Sequence, residues 1–225
     1  MFNDEEARWA VCVHEAAHAV VASLGDKYVY EIAVAPVGSG EWDRDYDEYD
    51  KKRCFAHRAG YCNTPDVDVD SEFLWWDRYQ CIYQVKRHKF QKHVRDHIPQ
   101  WSQAHYLREL RAQVCMLLAG PISDVILLYP DTPGKVPIEP FNFRSPNDDF
   151  VKAMGIAKLM SGEMEFWRLM GLTESKLRED AVWQSVLTLA RLLSEKGVLS
   201  KYEIPLPNPL GPNWPPPRPR RKRAV

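Results

Sequence analysis

The pentapeptide His14-Glu15-Ala16-Ala17-His18 constrains this chain more than any other feature, because it is an H-E-x-x-H motif within a pattern of helical period. Apolar residues recur at helical spacing from Ala7 to Ala22, and Gly25 provides a stop signal. Residues four apart lie on one face of a helix, so both imidazoles can reach a single zinc ion. Glu15 then lies beside that face, where a carboxylate can take a proton from a zinc-bound water.

The residues around the motif support this interpretation over its alternative, in which two ordinary helical histidines flank a solvated glutamate. Asn3 followed by Glu6 is a capping box, so the helix is predicted to begin there. No proline or glycine interrupts the run from Ala7 to Leu24. The sequence therefore predicts one continuous N-terminal helix that carries two metal ligands and a base.

Composition is typical of a soluble globular protein, since 45% of the 225 residues are hydrophobic and 27% are charged. The 30 basic and 31 acidic residues balance, so net charge gives no argument for a nucleic-acid partner. The N-terminus is acidic and lacks the apolar region of a secretory signal, and polar residues interrupt the longest apolar stretch, Val114 to Tyr129. We therefore expect a cytoplasmic protein without a membrane segment. The five cysteines include no C-x-x-C pair, which argues against a zinc ribbon.

The remaining chain is predicted to be mainly α-helical, with a small two- or three-stranded β-sheet beside the H-E-x-x-H helix. The strands are expected at Tyr28–Pro36 and Gly60–Thr64, where β-branched and aromatic residues concentrate. Further helices are expected over residues 73–97, 101–129, 148–169 and 175–196. One domain is predicted over residues 1–204, with insertions at about 41–57 and 66–103. The proline-rich, basic segment 205–225 is predicted to be a disordered tail.

A catalytic zinc site needs three protein ligands and one open position, so His14 and His18 require a partner from elsewhere. Asp148 and Asp149 are the best local candidates, because they begin a predicted helix after Ser145-Pro146-Asn147. Both carboxylates can equally serve as caps for that helix. Spacing alone leaves ligand and cap open for this pair.

Four segments in order resemble the peptidase domain of the FtsH family of ATP-dependent zinc metalloproteases. Trp9–Gly25 resembles its H-E-A-G-H-A region, and Leu117–Asp124 resembles its L-G-G-R-A-A-E helix. Ser145–Ala157 is similar to G-A-S-N-D-I-x-x-A-T-x-I-A, and Leu187–Ile204 resembles the closing segment. The resemblance covers residues 7–37, 58–64 and 105–204, and it places the zinc-binding aspartate on Asp149.

The chain also departs from the family pattern. Ala17 replaces a glycine, and Pro121 replaces an arginine. Asp124 replaces a glutamate that would contact a metal ligand, which makes Asp124 the candidate for that supporting role. No G-x-x-x-x-G-K-[ST] phosphate loop occurs in the sequence, so ATP hydrolysis by that route is not expected.

The resemblance implies a zinc metalloendopeptidase that hydrolyses peptide bonds in flexible or unfolded proteins, with Zn²⁺ on His14, His18 and Asp149 and Glu15 as the base. The alternative is a catalytically inactive zinc-binding adaptor built on the peptidase fold. The expected partner is a polypeptide substrate. The sequence leaves open whether a separate ATPase or unfoldase, or a second copy of the chain, also binds.

Two further clusters have ordinary explanations. Six residues could in principle hold a second metal, but their ligand spacing is incomplete, and scattered polar residues on an amphipathic insertion are the preferred interpretation: Cys54, His57, Cys62, His88, His93 and His97. The aromatic and basic segment 73–101 and the basic end 218–223 could contact nucleic acid or an acidic partner, but a solvated surface is favoured for both.

Overall fold

The computed structural model describes residues 5–36, 60–134, 148–211 and 214–217. Within these ranges the protein is mainly helical, with a three-stranded and a two-stranded antiparallel sheet, which confirms the expected fold class at this level. The elements are, in chain order, α1 (Glu5–Leu24), β1 (Glu31–Val34), β2 (Gly60–Asn63), β3 (Leu74–Asp77), β4 (Ile82–Val85), α2 (Arg87–His97), α3 (Gln100–Leu128), α4 (Asp149–Ser161), α5 (Glu163–Leu177), α6 (Asp180–Lys196) and β5 (Val198–Ser200).

Helix α1 lies at the centre of the protein and packs against α3 and α6. Most of its buried residues are alanine and valine, whose small side chains let neighbouring helices approach closely. Ala17 is fully buried, so the extra methyl group relative to the FtsH motif is accommodated. The predicted helix end is confirmed, because the Gly25 N–H donates to the carbonyls of Val21 and Ala22 at 3.1 and 3.0 Å.

The three-stranded sheet lies beside α1, as predicted, with β1 between β2 and β5. Both pairings are antiparallel, and Ile32 of β1 lies opposite Cys62 of β2 and Leu199 of β5. Strand β1 is shorter than the predicted Tyr28–Pro36, and β2 agrees with the predicted second strand. The sheet therefore brings the start of β2 close to the motif helix.

Residues 74–85 form a β-hairpin, so the prediction of one helix over residues 73–97 is wrong in its first half. Trp76 and Tyr83 lie opposite each other on β3 and β4, with ring centroids 5.3 Å apart. The Asp77 side chain accepts backbone N–H groups of the turn, at 2.9 and 3.1 Å. Aromatic cross-strand pairs of this kind stabilise a hairpin, but Trp75, Trp76, Tyr79, Ile82 and Tyr83 also recur at helical spacing, which favoured a helix in the sequence. Only α2 is helical; residues 66–97, the hairpin with its flanking chain and α2, are called the arm below.

A turn at Gly162 divides the predicted helix over residues 148–169 into α4 and α5. Gly162 has a φ of 85°, a left-handed conformation that favours glycine and ends α4. The apolar pattern continues on both sides of the turn, so periodicity alone predicted one helix where there are two. The next helix, α6, begins at Asp180 rather than at residue 175.

The proline-rich chain after Pro205 runs along the end of α1, and residues 205–211 with 214–217 are called the strap below. The Ser23 hydroxyl donates to the Pro207 carbonyl at 2.7 Å, and the Leu210 N–H donates to the Leu24 carbonyl at 3.1 Å. Trp214 is 7% exposed and belongs to the hydrophobic core. These two ranges thus lie against α1, within the segment that composition predicts to be disordered, and the buried Trp214 side chain anchors them.

Replacing Trp214 by alanine is expected to lower the free energy of unfolding by about 3 kcal/mol, because it empties a large buried site. The Trp214 ring approaches Gly25, where a β-carbon would lie 3.4 Å from its Cζ3 and 3.0 Å from the β-carbon of Ala112. Urea unfolding monitored by circular dichroism measures the change. Trp101→Ala is the matched control, since Trp101 is 85% exposed and its loss is expected to change stability by less than about 0.5 kcal/mol. Equal effects of the two substitutions would contradict the strap's role.

Helix α3 is long and apolar enough to cross a membrane by length and composition, and 83% of its most apolar window is buried inside the protein. Contacts with α1, α4 and α5 account for that apolar surface. Several predictions lie outside the described residues: the capping residue Asn3, the insertion over residues 41–57 and the basic end from residue 218.

Candidate metal centre

Three side chains from two helices converge at one point beside α1. His14 and His18 lie one turn apart, with ring centroids 4.8 Å from each other. Asp149 is the first residue of α4, and its Oδ2 lies 3.1 Å from His18 Nε2 and 3.8 Å from His14 Nε2. The ligand atoms of all three lie within 4.8 Å of one another, which is close enough to hold one metal ion. Residues 131 positions apart along the chain thus form a group that can bind a metal.

The structure separates the roles of the two neighbouring aspartates, which spacing had left open. Asp148 is the N-cap of α4, and its Oδ1 accepts the Val151 N–H at 3.1 Å. Asp149 instead directs its carboxylate toward the two imidazoles. The cap fixes the first turn of α4 and therefore the direction of Asp149.

Each histidine is oriented by a hydrogen bond on its other ring nitrogen. His14 Nδ1 donates to Asp124 Oδ2 at 2.9 Å, and His18 Nδ1 donates to the Met116 carbonyl at 2.7 Å. A carbonyl oxygen can only accept, so the proton of neutral His18 lies on Nδ1 and the lone pair of Nε2 is free for a metal ion. Asp124, where the resemblance predicts a supporting contact, is hydrogen-bonded to His14, and α3 supplies both acceptors.

Gly120 of α3 provides the space in which the imidazoles meet. A β-carbon on Gly120 would lie 2.3 Å from His14 Nε2 and 2.4 Å from His18 Nε2. Real side-chain carbons do not approach other atoms so closely. The absence of a side chain at Gly120 therefore leaves the space in which the two Nε2 atoms lie close together.

Glu15 lies next to this group and against the start of β2. Its side chain is 7% exposed, and its Cγ would lie 2.8 Å from a β-carbon on Gly60. Burial raises the pKa of Glu15 above its ordinary value; His14 and His18 oppose the rise, and Asp149 and Asp124 add to it. A carboxylate with a raised pKa is better matched to proton transfer near neutral pH.

The charges within the group also set the protonation of the histidines. Burial lowers the pKa of His14, but the charge and hydrogen bond of Asp124 and the hydrogen bond to Asp149 outweigh it, so the pKa lies well above the usual range. Burial likewise lowers the pKa of His18, and Asp149 reverses the effect. For Asp149, burial raises the pKa, but the two histidines outweigh it and the pKa lies below its ordinary value.

Metal binding is therefore expected to release protons and to weaken as the pH falls. A raised histidine pKa means that, without a metal, the imidazoles keep their protons to a higher pH, and a cation must displace them from Nε2. Calorimetric titration with Zn²⁺ in two buffers of different ionisation enthalpy, at about pH 6 and about pH 8, measures both effects. We expect tighter binding at the higher pH and proton release near neutrality. An affinity that does not change with pH would contradict the coupling.

Neither a scan against protein-family models nor a search of curated proteins finds a match to this chain.

The sequence offered six residues that could in principle hold a second metal ion. Among the described residues these side chains do not form a metal-binding group, and the group that can hold an ion is His14, His18 and Asp149. His93 packs on Phe73 and His97, with ring centroids 5.1 and 5.2 Å away. Burial, followed by the charges of Glu15 and Asp149, raises the pKa of Cys62 well above its usual range, which disfavours the thiolate that a metal requires. Cys54 and His57 lie outside the described residues.

Three contributions to the site were not predicted from the sequence: the space left by Gly120, the close approach of Gly60 to Glu15, and the Met116 carbonyl. The Gly120 position carries one signal, because a glycine inside a long helix costs about 1 kcal/mol relative to alanine and therefore indicates a packing requirement. A backbone carbonyl carries no signal in the residue type, since every residue has one.

Proposed function

We propose that this protein is a zinc-dependent metalloendopeptidase that hydrolyses peptide bonds in flexible or unfolded polypeptides. The observation that carries the proposal is the convergence of His14, His18 and Asp149 with Glu15 directly beside them. A structural metal site has no need of an adjacent buried carboxylate that is not a ligand. The resemblance of four ordered segments to the FtsH-family peptidase domain supports the same conclusion.

The donor set fits zinc and leaves a coordination position open. Two imidazole nitrogens and one carboxylate oxygen are the ligand types of catalytic zinc sites, where three protein ligands leave the fourth position for water or substrate. The side chains of His14 and Asp149 are 23% and 33% exposed, whereas that of His18 is 6% exposed, so solvent reaches the group from one side. When bound, zinc supplies Lewis acidity that lowers the pKa of water and polarises a carbonyl group.

The protein's own residues then orient the ion and move the proton. Asp124 and the Met116 carbonyl hold the imidazoles in the tautomer that presents Nε2. Glu15 accepts a proton from the attacking water and returns it to the nitrogen of the leaving amine, so that the peptide C–N bond breaks without a free amide anion. Glu15 ends this cycle as it began, in the ionised form.

Strand β2 offers a binding place for an extended substrate. It is an outer strand of the sheet formed by the described residues, and its first residue, Gly60, lies against Glu15. An extended peptide that added to this edge through backbone hydrogen bonds would pass close to the base. Delivery of substrate by a separate ATPase and association with a second copy of the chain stay predictions.

Metal analysis combined with a cleavage assay tests the proposal. The purified protein is expected to contain close to one zinc ion per chain and to cleave an unfolded protein. Removal of zinc with a chelator should stop cleavage, and added zinc should restore it. Stoichiometric zinc without cleavage of any unfolded substrate would instead favour the inactive zinc-binding adaptor, and absence of zinc binding would exclude both.

A further inference from the structure

The arm packs against α4 and contributes Phe73, Phe90 and Val94 to the hydrophobic core. Strand β4 and helix α2 both pack against α4, and Gly155 of α4 lies against Tyr83 of β4. A β-carbon on Gly155 would lie 2.7 Å from the β-carbon of Tyr83 and 3.1 Å from Cδ1 of Leu74. Ordinary van der Waals contacts of this kind begin at 3.4 Å. The helix and the hairpin are therefore packed as closely as a glycine allows.

Other contacts hold the arm against α4, which carries Asp149, and against α3, which orients the two histidines. On α4, Lys152 Nζ lies 2.8 Å from Asp66 Oδ2, and the Gln91 side chain donates to the Met160 carbonyl at 3.4 Å. On α3, the buried side chain of Gln113 accepts the Val67 N–H at 2.8 Å. The arm thus connects α4 to the helix that carries Gly120, Met116 and Asp124.

The position of α4 matters because it carries one metal ligand, whereas α1 carries the other two. His14 and His18 are oriented by hydrogen bonds to α3. Asp149 depends on where α4 lies relative to α1 and α3. Metal–ligand distances tolerate deviations of about 0.2 Å. A displacement of α4 relative to α1 that exceeds this tolerance is therefore enough to weaken metal binding.

We propose that the arm is a brace for the metal centre, in which Gly155 and Tyr83 are positioning residues that hold α4 so that Asp149 meets His14 and His18. This inference rests on the metal site of the proposed function. It gives a role to the segment from residue 66 to residue 97, for which the FtsH resemblance provides no counterpart. Neither residue touches the metal position.

The Gly155→Ala variant tests the brace. Its methyl group overlaps the Tyr83 β-carbon by about 0.7 Å, since the separation is 2.7 Å and ordinary contact begins at 3.4 Å. Either α4 moves or the hairpin withdraws, and both outcomes remove the lateral support of Asp149. We expect the dissociation constant for Zn²⁺ to rise by about 10-fold or more, as for other changes behind a metal ligand. The visible absorption spectrum of the Co²⁺-loaded variant should also differ from that of the wild type, because it reports ligand geometry.

Gly171→Ala provides the matched control. Gly171 lies within α5, and a β-carbon there meets nothing within 4 Å. The substitution brings the same gain in helix propensity, about 1 kcal/mol, without displacing a neighbour. Zn²⁺ affinity and the Co²⁺ spectrum of this control are expected to match the wild type.

Tyr83→Ala is the second variant. It keeps the β-carbon but removes the ring, whose Cγ would lie 3.1 Å from a β-carbon on Gly155, so it loosens the contact from the hairpin side without creating an overlap. If it loses Zn²⁺ affinity and changes the Co²⁺ spectrum while its circular dichroism spectrum is retained, the brace is supported even where Gly155→Ala fails to fold. Wild-type Zn²⁺ affinity in folded Gly155→Ala and Tyr83→Ala would overturn the inference and leave the proposed function standing. A wild-type protein that binds no Zn²⁺ would overturn the proposed function itself.

Discussion

Replacing Glu15 by glutamine is expected to lower the rate of peptide hydrolysis by roughly 10²- to 10⁴-fold, the usual contribution of a positioned general base. Glutamine has nearly the same shape, so it fits between α1 and the start of β2 at Gly60, but it cannot accept the proton of water. Zinc content should stay unchanged, because Glu15 is not one of the three residues whose ligand atoms converge. Initial rates of cleavage of an unfolded protein, together with metal analysis, measure both quantities.

Glu195→Gln makes the same chemical change on the exposed surface of α6 and serves as the control. Its cleavage rate and zinc content are expected to equal those of the wild type. If Glu15→Gln cleaved at the wild-type rate, another group would have to be the base and the proposed role of Glu15 would be wrong. If Glu15→Gln lost its zinc as well, the loss of activity would report on metal binding instead of proton transfer.

Gly120→Ala should remove most of the metal affinity, with a rise in the Zn²⁺ dissociation constant of at least roughly 100-fold, the upper end of effects seen for changes around metal ligands. The added methyl group would lie 2.3 Å from His14 Nε2 and 2.4 Å from His18 Nε2, so it competes directly for the space in which these nitrogens converge. His18 is 5% exposed and cannot rotate away into solvent. Competition with a chromophoric chelator gives the affinity.

The protein is nevertheless expected to fold, because overpacking at one site costs about 1–3 kcal/mol and alanine recovers about 1 kcal/mol of helix propensity. Circular dichroism and urea unfolding check this point. Gly171→Ala again serves as the comparison, since it adds a methyl group to a helix without meeting another atom. A Gly120→Ala variant that bound zinc as tightly as the wild type would show that the ion lies elsewhere.

Local sequence patterns predicted the parts of the protein that depend on neighbouring residues. The period of apolar residues and the stop at Gly25 located α1, and the four-residue spacing put His14 and His18 on one face. Concentrated β-branched and aromatic residues located β1 and β2, although β1 proved shorter. Where local signals conflicted, prediction failed. The apolar and aromatic residues of the hairpin also fit helical spacing, and continuous apolar periodicity concealed the turn at Gly162.

The candidate site was predicted in part, and its remaining features depend on distant contacts. Asp149 followed from the resemblance, whereas its separation from the capping role of Asp148 came from the structure. Within the segment predicted to be disordered, Trp214 is buried beside Gly25, a contact between residues far apart in the chain. Composition averages over a segment and does not detect one such anchor.

By itself, the sequence determined a helix that presents two imidazoles and a carboxylate at fixed spacing, because helical geometry relates residues only a few positions apart. Only the tertiary structure decided that Asp149 meets them, that Gly120 leaves room for their nitrogens, and that the arm packs on α4. These relations join chain segments through side-chain packing. The distances between these residues are set by the close packing of helices, and the order of the helices in the sequence does not determine which of them pack together.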